Sequence, residues 1–368
     1  MKAAILEDPA GGELRITDLQ IDRPAAREVL IRNVGVGLCH SDLNYLDDPK
    51  TLALTPVGVQ LPVLLGHECA GVVEAVGADV TYVRSGDHVI TYPAQFCGEC
   101  EFCLRGIPTL CRQSPGPRPA DAPHRLTLPD GTRVGQFSNL GGFAELLLVH
   151  EHAVVKIDPE YPLDRAAVLS CGVATGLGSV LNAAQVRPGS TVAVLGCGGV
   201  GLAAIQGARV AGARRIVAID TSAAKLRTAE AMGATDSVDA SSGDVVAQVL
   251  ELTGGGVDYS FEAVGLKSAA EQSFCMLRPG GLATIIGIGT GQRPEFDMRM
   301  FIPGRKIQGA AMGANRFRTD LPYFIDLDRQ GRIDVAGIVE KHIALEDINT
   351  GFATMREGGL NGRWVVMF

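Results

Sequence analysis

The stretch STVAVLGCGGVGLAAIQGARVAGARRIVAID, residues 190–220, constrains the fold more than any other part of the chain. TVAVLG is a short apolar run rich in valine, as expected of a strand buried on both faces. LAAIQGARVAG has helical spacing, and RIVAI reads as a second strand that ends at Asp220. Gly196, Gly198 and Gly201 spell G-x-G-x-x-G at the end of the first strand, with Gly199 and Val200 in the same turn. Gly196 permits the tight turn, Gly198 lets a pyrophosphate approach the backbone, and Gly201 lets the helix pack on the strand. The helix N-terminus then favours the phosphate charge. Asp220, 19 residues after Gly201, can accept hydrogen bonds from a ribose. A lone glycine motif says little in a chain with 46 glycines, but strand, turn, helix, second strand and acid together specify dinucleotide binding. The charge of Asp220 repels a 2′-phosphate, which favours NAD over NADP. Lys225, on the next helix, is a further cofactor candidate, against the plainer reading of a solvated helix charge.

β/α alternation continues beyond this unit. TDSVDA, VDYSFEAVG and LATIIGIG read as strands, GDVVAQVLELTGG as a helix, and SAAEQSFCMLRPGG as a helix ended by Pro279 and Gly280. The pattern is that of a doubly wound parallel sheet. The preceding residues, rich in valine, glycine and turn signals, contain short strands such as EVLIRNVGVG and GVVEAVG and read as a mainly β domain.

Four of the nine cysteines fall in FCGECEFCLRGIPTLC: Cys97, Cys100, Cys103 and Cys111, spaced C-x2-C-x2-C-x7-C. Cysteines two residues apart in a tight turn aim both sulfurs at one point, and four thiolates satisfy a closed tetrahedral zinc site. Gly98 and Gly106 suit the turns. An iron–sulfur ferredoxin run closes with x3-C-P rather than x7. An odd cysteine count and the absence of a signal-like start fit a reducing compartment better than a disulfide framework. A closed site of this kind stabilises a loop and implies no reaction. Further possible ligands are scattered: Cys39 in GLCHSDLN, His67 and Glu68 in LLGHECAG, and Cys171 in LSCGVATGLG. Two cysteines and one histidine with an open fourth position make a catalytic zinc site, but each residue alone also reads as an ordinary core side chain. The spacing leaves both readings open.

GLCHSD, LLGHECAGVVEAVG, GDHV, the four-cysteine lobe, CGVATGLG, VLGCGGVG and the GRWVVMF ending together resemble the zinc-containing medium-chain alcohol dehydrogenases along nearly the whole chain. The resemblance implies an α/β protein with a GroES-like mainly-β catalytic domain interrupted by a Rossmann coenzyme domain. The expected boundaries are 1–170 (with the zinc lobe at 96–111), 171–311 for the Rossmann domain, and 312–368 for the return. It implies that Cys39, His67 and Cys171 hold a catalytic zinc, with Glu68 nearby and Asp42 orienting His67. Thr175 and Val200 match positions around the nicotinamide, and His40 and Arg363 match positions facing the pyrophosphate. The implied reaction is reversible oxidation of an alcohol to an aldehyde or ketone, with zinc as Lewis acid, Ser41 as proton acceptor and NAD as hydride acceptor. A thiol-adduct formaldehyde dehydrogenase of the same family is the alternative, and a non-catalytic binding protein on this scaffold is the alternative of another class.

Two departures stand out. Many relatives carry a histidine at the position of Asn44, the outer end of the proton relay, and asparagine takes up no proton near neutral pH. YLDDPKTLALTPVGVQLPVLL, between Asn44 and His67, is longer than in many relatives and reads as either a wall of the substrate site or a surface insertion. The segment after Cys111 resembles a loop of dimeric members, so a homodimer is expected. The net charge of −8 supplies no basic footprint for nucleic acid or an anionic membrane, and apolar runs such as LATIIGI are too short to span a bilayer. A small-molecule substrate and a cytoplasmic location are the remaining expectations.

Overall fold

A computed structural model describes residues 1–8, 10–54, 60–119, 121–289, 291 and 293–368. The chain forms two compact units: Met1–Cys171 with Arg316–Ile325 and Val335–Phe368, and Gly172–Asn315 with Asp326–Asp334. Against the expected boundaries at 170 and 312, the changeovers fall after Cys171 and at Arg316, and a short stretch, Asp326–Asp334, groups with the second unit. That stretch is held there by Gln206, whose Nε2 donates to Asp334 O at 3.2 Å, and by Arg209, whose Nη2 donates to Arg332 O at 2.8 Å.

In the first unit the alternating apolar pattern of EVLIRNVGVG makes Glu28–Gly37 the central strand of a seven-stranded sheet. It pairs antiparallel with Glu68–Val76, Leu146–His150 and Arg363–Met367. A four-stranded sheet built on Lys2–Leu6 completes the β layers. Their core includes Ile5, Leu38, Phe143 and Phe352, all essentially without solvent exposure. The lobe after Phe96 contains only one short helix, Glu101–Leu104, and a 3-10 turn, Pro108–Leu110. Gly98 and Gly106 adopt φ of +87° and +76°, the left-handed turns that a side chain would strain. Of the long segment between Asn44 and His67, residues 49–54 form a 3-10 turn, and 55–59 lie outside the described residues.

The second unit is a six-stranded, all-parallel sheet. In spatial order its strands are Asp236–Asp239, Arg215–Asp220, Thr191–Leu195, Val257–Glu262, Leu277–Ile285 and Lys306–Gly309. Numbered along the chain this is 3-2-1-4-5-6, the dinucleotide-binding order, with its switch point beside Thr191–Leu195. The last strand, KIQG, carried no readable sequence signal. The helix expected to run to Pro279 and Gly280 ends at Cys275, and both residues belong to a strand that begins at Leu277. That strand pairs with Val257 across a register shift, where the missing proline N–H is tolerated. The helical run Leu163–Ala183 has the length and hydropathy of a membrane span, yet 78% of its 18-residue apolar window is buried.

Candidate metal and cofactor sites

The four lobe cysteines bring their sulfurs within 4.8 Å of one another. Cys97–Cys103, Cys100–Cys103 and Cys100–Cys111 Sγ separations are 3.8, 3.6 and 3.8 Å. A tetrahedron with zinc–sulfur bonds of about 2.3 Å has edges of about 3.8 Å, so the spacing fits zinc. Backbone amides turn toward the sulfurs: Glu99 N and Cys100 N donate to Cys97 Sγ at 3.3 and 3.2 Å, and Cys97 N donates to Cys111 Sγ at 3.3 Å. Hydrogen bonds from Glu99 and Cys100 lower the Cys97 thiol, and backbone donation near Cys103 brings Cys100 down to about 6. Burial pushes Cys103 up to about 12 and raises Cys111. Metal binding here therefore displaces protons.

The scattered residues are brought together as well. Ligand atoms of Cys39, His67, Glu68 and Cys171 all lie within 4.8 Å of one another. Each arrives on a different element. Cys39 caps the N-terminus of the helix His40–Asp47, His67 precedes the strand that begins at Glu68, and Cys171 sits in the helical run after Leu163. Cys39 and His67 are 4% and 2% exposed, and Glu68 has no exposure at all. A helix N-terminus favours a thiolate, and Cys39 is held well below the usual thiol range by Cys171, then by Arg363 and His67. His67 Nδ1 lies 3.1 Å from buried Asp42, which leaves Nε2 for a metal. Asp42 Oδ1 also accepts from Gly66 N at 2.9 Å, so one carboxylate fixes both the ring and the backbone beside it. The donor set and its orientation fit zinc with an open position.

Around this set, Arg363 Nη2 lies 3.3 Å from Glu68 Oε1 and 3.8 Å from Cys39 Sγ, and Nη1 donates to Leu38 O at 3.3 Å. Burial pushes the Glu68 carboxyl up to about 8 against the pull of Arg363. Ser41 Oγ is 3.8 Å from Cys39 Sγ, Asn44 is half-buried, and His40 is exposed. Three supporting features escaped the sequence reading. Ser170 Oγ lies 2.9 Å from His67 O and 2.6 Å from Thr91 O, with its single hydroxyl proton shared between the two carbonyls, which seats the helical residue before Cys171. A Cβ on Gly37 would overlap Glu68 Oε2, so only glycine admits the carboxylate there. Phe137 meets the His67 ring edge-on at 5.4 Å and Tyr45 at 4.7 Å, walling one side of the histidine with aromatic carbon. Only the adjacency of Ser170 to Cys171 could have hinted at any of these.

In the second unit the glycine turn follows Leu195, at the carboxyl end of the central strand. A Cβ on Gly201 would collide with Gly196 O, whereas one on Gly198 would enter open space, the room a pyrophosphate needs. Asp220 accepts from Cys197 N at 2.8 Å and from Ser222 N at 2.9 Å, so it pins the turn as well as presenting acceptors. Each oxygen retains a lone pair for a ribose hydroxyl. Lys225 lies in the first turn of the helix Ala223–Ala231, Val200 in that of Gly199–Val210, and Thr175 is 7% exposed. The residues present fit NAD.

Residues 25–159 match the alcohol dehydrogenase GroES-like domain family, and 199–329 match the zinc-binding dehydrogenase family. An S-(hydroxymethyl)glutathione dehydrogenase of Synechocystis sp. is 40% identical, over 95% of each chain. The chain belongs to the zinc-containing medium-chain alcohol dehydrogenase family. A class-3 alcohol dehydrogenase of Zea mays is 38% identical over 97% of this chain and 94% of its own. Among solved structures, benzyl alcohol dehydrogenase from Acinetobacter calcoaceticus superposes with a TM-score of 0.90 at 30% identity, over 100% of this chain and 99% of that one. An alcohol dehydrogenase zinc-binding domain protein from Burkholderia ambifaria gives 0.91 at 34%, over 100% and 98%. As a member of this family the chain is an NAD-dependent zinc alcohol dehydrogenase, an oxidoreductase that interconverts alcohols and carbonyl compounds.

Proposed function

We propose that the chain oxidises uncharged alcohols with an apolar, aromatic-type substituent, at the site formed by Cys39, His67 and Cys171. The observation that carries this is the aromatic wall of Phe137 and Tyr45 beside His67. Zinc there supplies Lewis acidity toward the alcohol oxygen, and NAD supplies the hydride acceptor. The chain's own residues do the rest. Asp42 holds the His67 ring in one tautomer, and Ser170 and Gly37 fix where Cys171 and Glu68 stand. Arg363 holds the Glu68 carboxyl and faces the Cys39 sulfur, and we assign it with His40 to the coenzyme pyrophosphate. Ser41 takes the alcohol proton and passes it outward, and Asn44 relays by hydrogen bonding only. Asp220 selects NAD through the ribose, with Lys225 beside it, and Thr175 and Val200 pack on the nicotinamide.

The thiol-adduct reading is favoured by the curated relatives that carry that activity in their names. It requires cations free to hold the carboxylates of the adduct. Two arginines of the segment after the lobe are spent elsewhere: Arg118 and Arg125 both bind Glu28, at 2.5 and 2.7 Å. A panel of benzyl alcohol, ethanol and formaldehyde with glutathione, read by NADH absorbance, decides between them. The highest kcat/KM for benzyl alcohol supports the proposal, and the highest for the glutathione adduct replaces it. No turnover of any of the three, with zinc and NAD bound, would instead favour a binding role.

We also infer a cytoplasmic homodimer. Met298 and Ile302 are 83% and 81% exposed, large apolar side chains of the kind a second copy covers. Light scattering at a tetramer mass would overturn the dimer.

A further inference from the structure

The glycine turn lies at the carboxyl ends of the parallel strands. The amino ends carry a different feature, a cavity of about 530 Å³ lined by Arg187, Arg214, Arg278, Lys306, Asp258 and Tyr259. This volume falls in the usual range for small-molecule sites, roughly 300–1,000 Å³. Four cations face one carboxylate. Asp258 is already engaged twice, by an ion pair with Arg278 and by the amide of Thr191, which donates to Oδ2 at 2.8 Å. Among the described residues, Arg187, Arg214 and Lys306 form no ion pair. A chain with a net charge of −8 thus gathers three uncompensated cations around one concavity. Gathered like charges repel, and an anion is the partner that relieves them.

The cations also stand on fixed elements. The turns bearing Arg187 and Arg214 are tied together by Gly189 N donating to Gly212 O and Arg214 N donating to Ser190 O, both at 2.8 Å. Across the cavity, Gly280 N donates to Pro303 O at 2.9 Å and Arg305 Nε to Leu277 O at 2.7 Å, which sets the strand beginning at Lys306 against the one carrying Arg278. Tyr259 adds an aromatic side chain to the lining. Three free cations match an anion of three or more charges better than a single carboxylate.

We propose that this cavity at the amino ends of the parallel strands is a second anion site, which takes an oligophosphate, free or as the phosphate tail of a nucleotide. It lies at the opposite end of the strand Thr191–Leu195 from the coenzyme turn, so coenzyme and oligophosphate bind together. Coenzyme binding is read separately, and the site stands or falls independently of the substrate.

The test is calorimetric titration of the zinc-loaded full chain with tripolyphosphate at fixed ionic strength, with saturating NADH present. The expected result is one tripolyphosphate per chain with NADH bound. An Arg187→Gln/Arg214→Gln double variant, altered only at exposed side chains, should bind tripolyphosphate about tenfold more weakly or worse, with unchanged NADH affinity. A parallel titration with ATP identifies the source. Tighter binding of ATP, lost in Tyr259→Leu, assigns a nucleotide, and equal binding of the two probes assigns the free oligophosphate. Absence of binding, displacement by NADH, or equal affinity in the double variant would each overturn the proposal.

Discussion

The two metal-ligand sets are built in opposite ways. The lobe cysteines lie within sixteen residues, on turns with almost no regular structure, and are only half-buried. Local amides steer their sulfurs, and the 3.6–3.8 Å spacing is a property of one short loop. The other set collects Cys39, His67 and Cys171 from across the first unit, each almost wholly buried, with Asp42 and Arg363 reaching His67 and Cys39 from elsewhere in the chain. Asp42 reaches His67, Ser170 reaches the His67 and Thr91 carbonyls, and Arg363 reaches Glu68 from near the C-terminus. One short loop therefore shapes the first set, whereas the fold of the whole first unit shapes the second. A closed four-thiolate site gives its binding energy to folding, and a three-ligand site with an open position leaves room for chemistry.

Exchanging the roles of the two sets by mutation is the sharpest way to break this contrast. Cys171→Ser should lower turnover about a thousandfold, the worth of several kcal/mol of Lewis-acid stabilisation, at nearly unchanged melting temperature. Steady-state kinetics beside a thermal melt reads both. Cys103→Ser should do the reverse, with a melting temperature lower by on the order of 10 °C and a kcat per folded chain within about twofold of the parent. If each variant shows the other's phenotype, the assignments are exchanged.

A charge cluster at the start of the central strand sharpens the contrast further, because it ties down the segment that follows the lobe. Burial opposes ionisation of Glu28, but Arg118, the amide of Ala25 and Arg125 outweigh it and hold the carboxyl down at about 2, from an ordinary 4.5. A depressed pKa gives stability that is complete above about pH 4.5 and is lost as pH falls through about 2. Glu28→Gln should therefore cost about 3 kcal/mol at neutral pH, and the gap to the parent should shrink on acidification through that window. Urea unfolding at several pH values measures it; a gap independent of pH would remove Glu28 as the anchor.

The smallest expected effect concerns the proton outlet of the buried set. Asn44→His should raise alcohol oxidation modestly below about pH 8, where a general base has most to add. A solvent isotope effect near unity in the parent, with an unchanged pH profile in the variant, would show that Asn44 is no break in the relay.

The same contrast explains what could be read from the sequence. The lobe was legible because its information is local: ligand spacing and two turn glycines. The glycine turn was legible for the same reason, since strand, turn, helix and acid follow one another within 31 residues. The buried set was not legible from spacing. It became readable only through resemblance, because convergence of Cys39, His67 and Cys171 is a property of the β layers. Ser170, Gly37 and Phe137 were missed because a serine, a glycine and a phenylalanine carry no signal until the fold supplies their partners. The strand Lys306–Gly309 is short and polar, and Pro279 hid the strand it sits in, because tertiary pairing there overrides a local breaker. Asp220 was read as a ribose acceptor, and its bond to Cys197 N, which pins the turn, was not.

Zinc content per chain, measured by elemental analysis on the parent, Cys103→Ser and Cys171→Ser, tests most directly that the chain holds two metals of different kinds. Two zinc ions per chain in the parent and one in each variant, with the ion left in Cys103→Ser still supporting turnover and that left in Cys171→Ser not, is the expected result. A single zinc in the parent, or an active Cys171→Ser that retains one zinc, would contradict it.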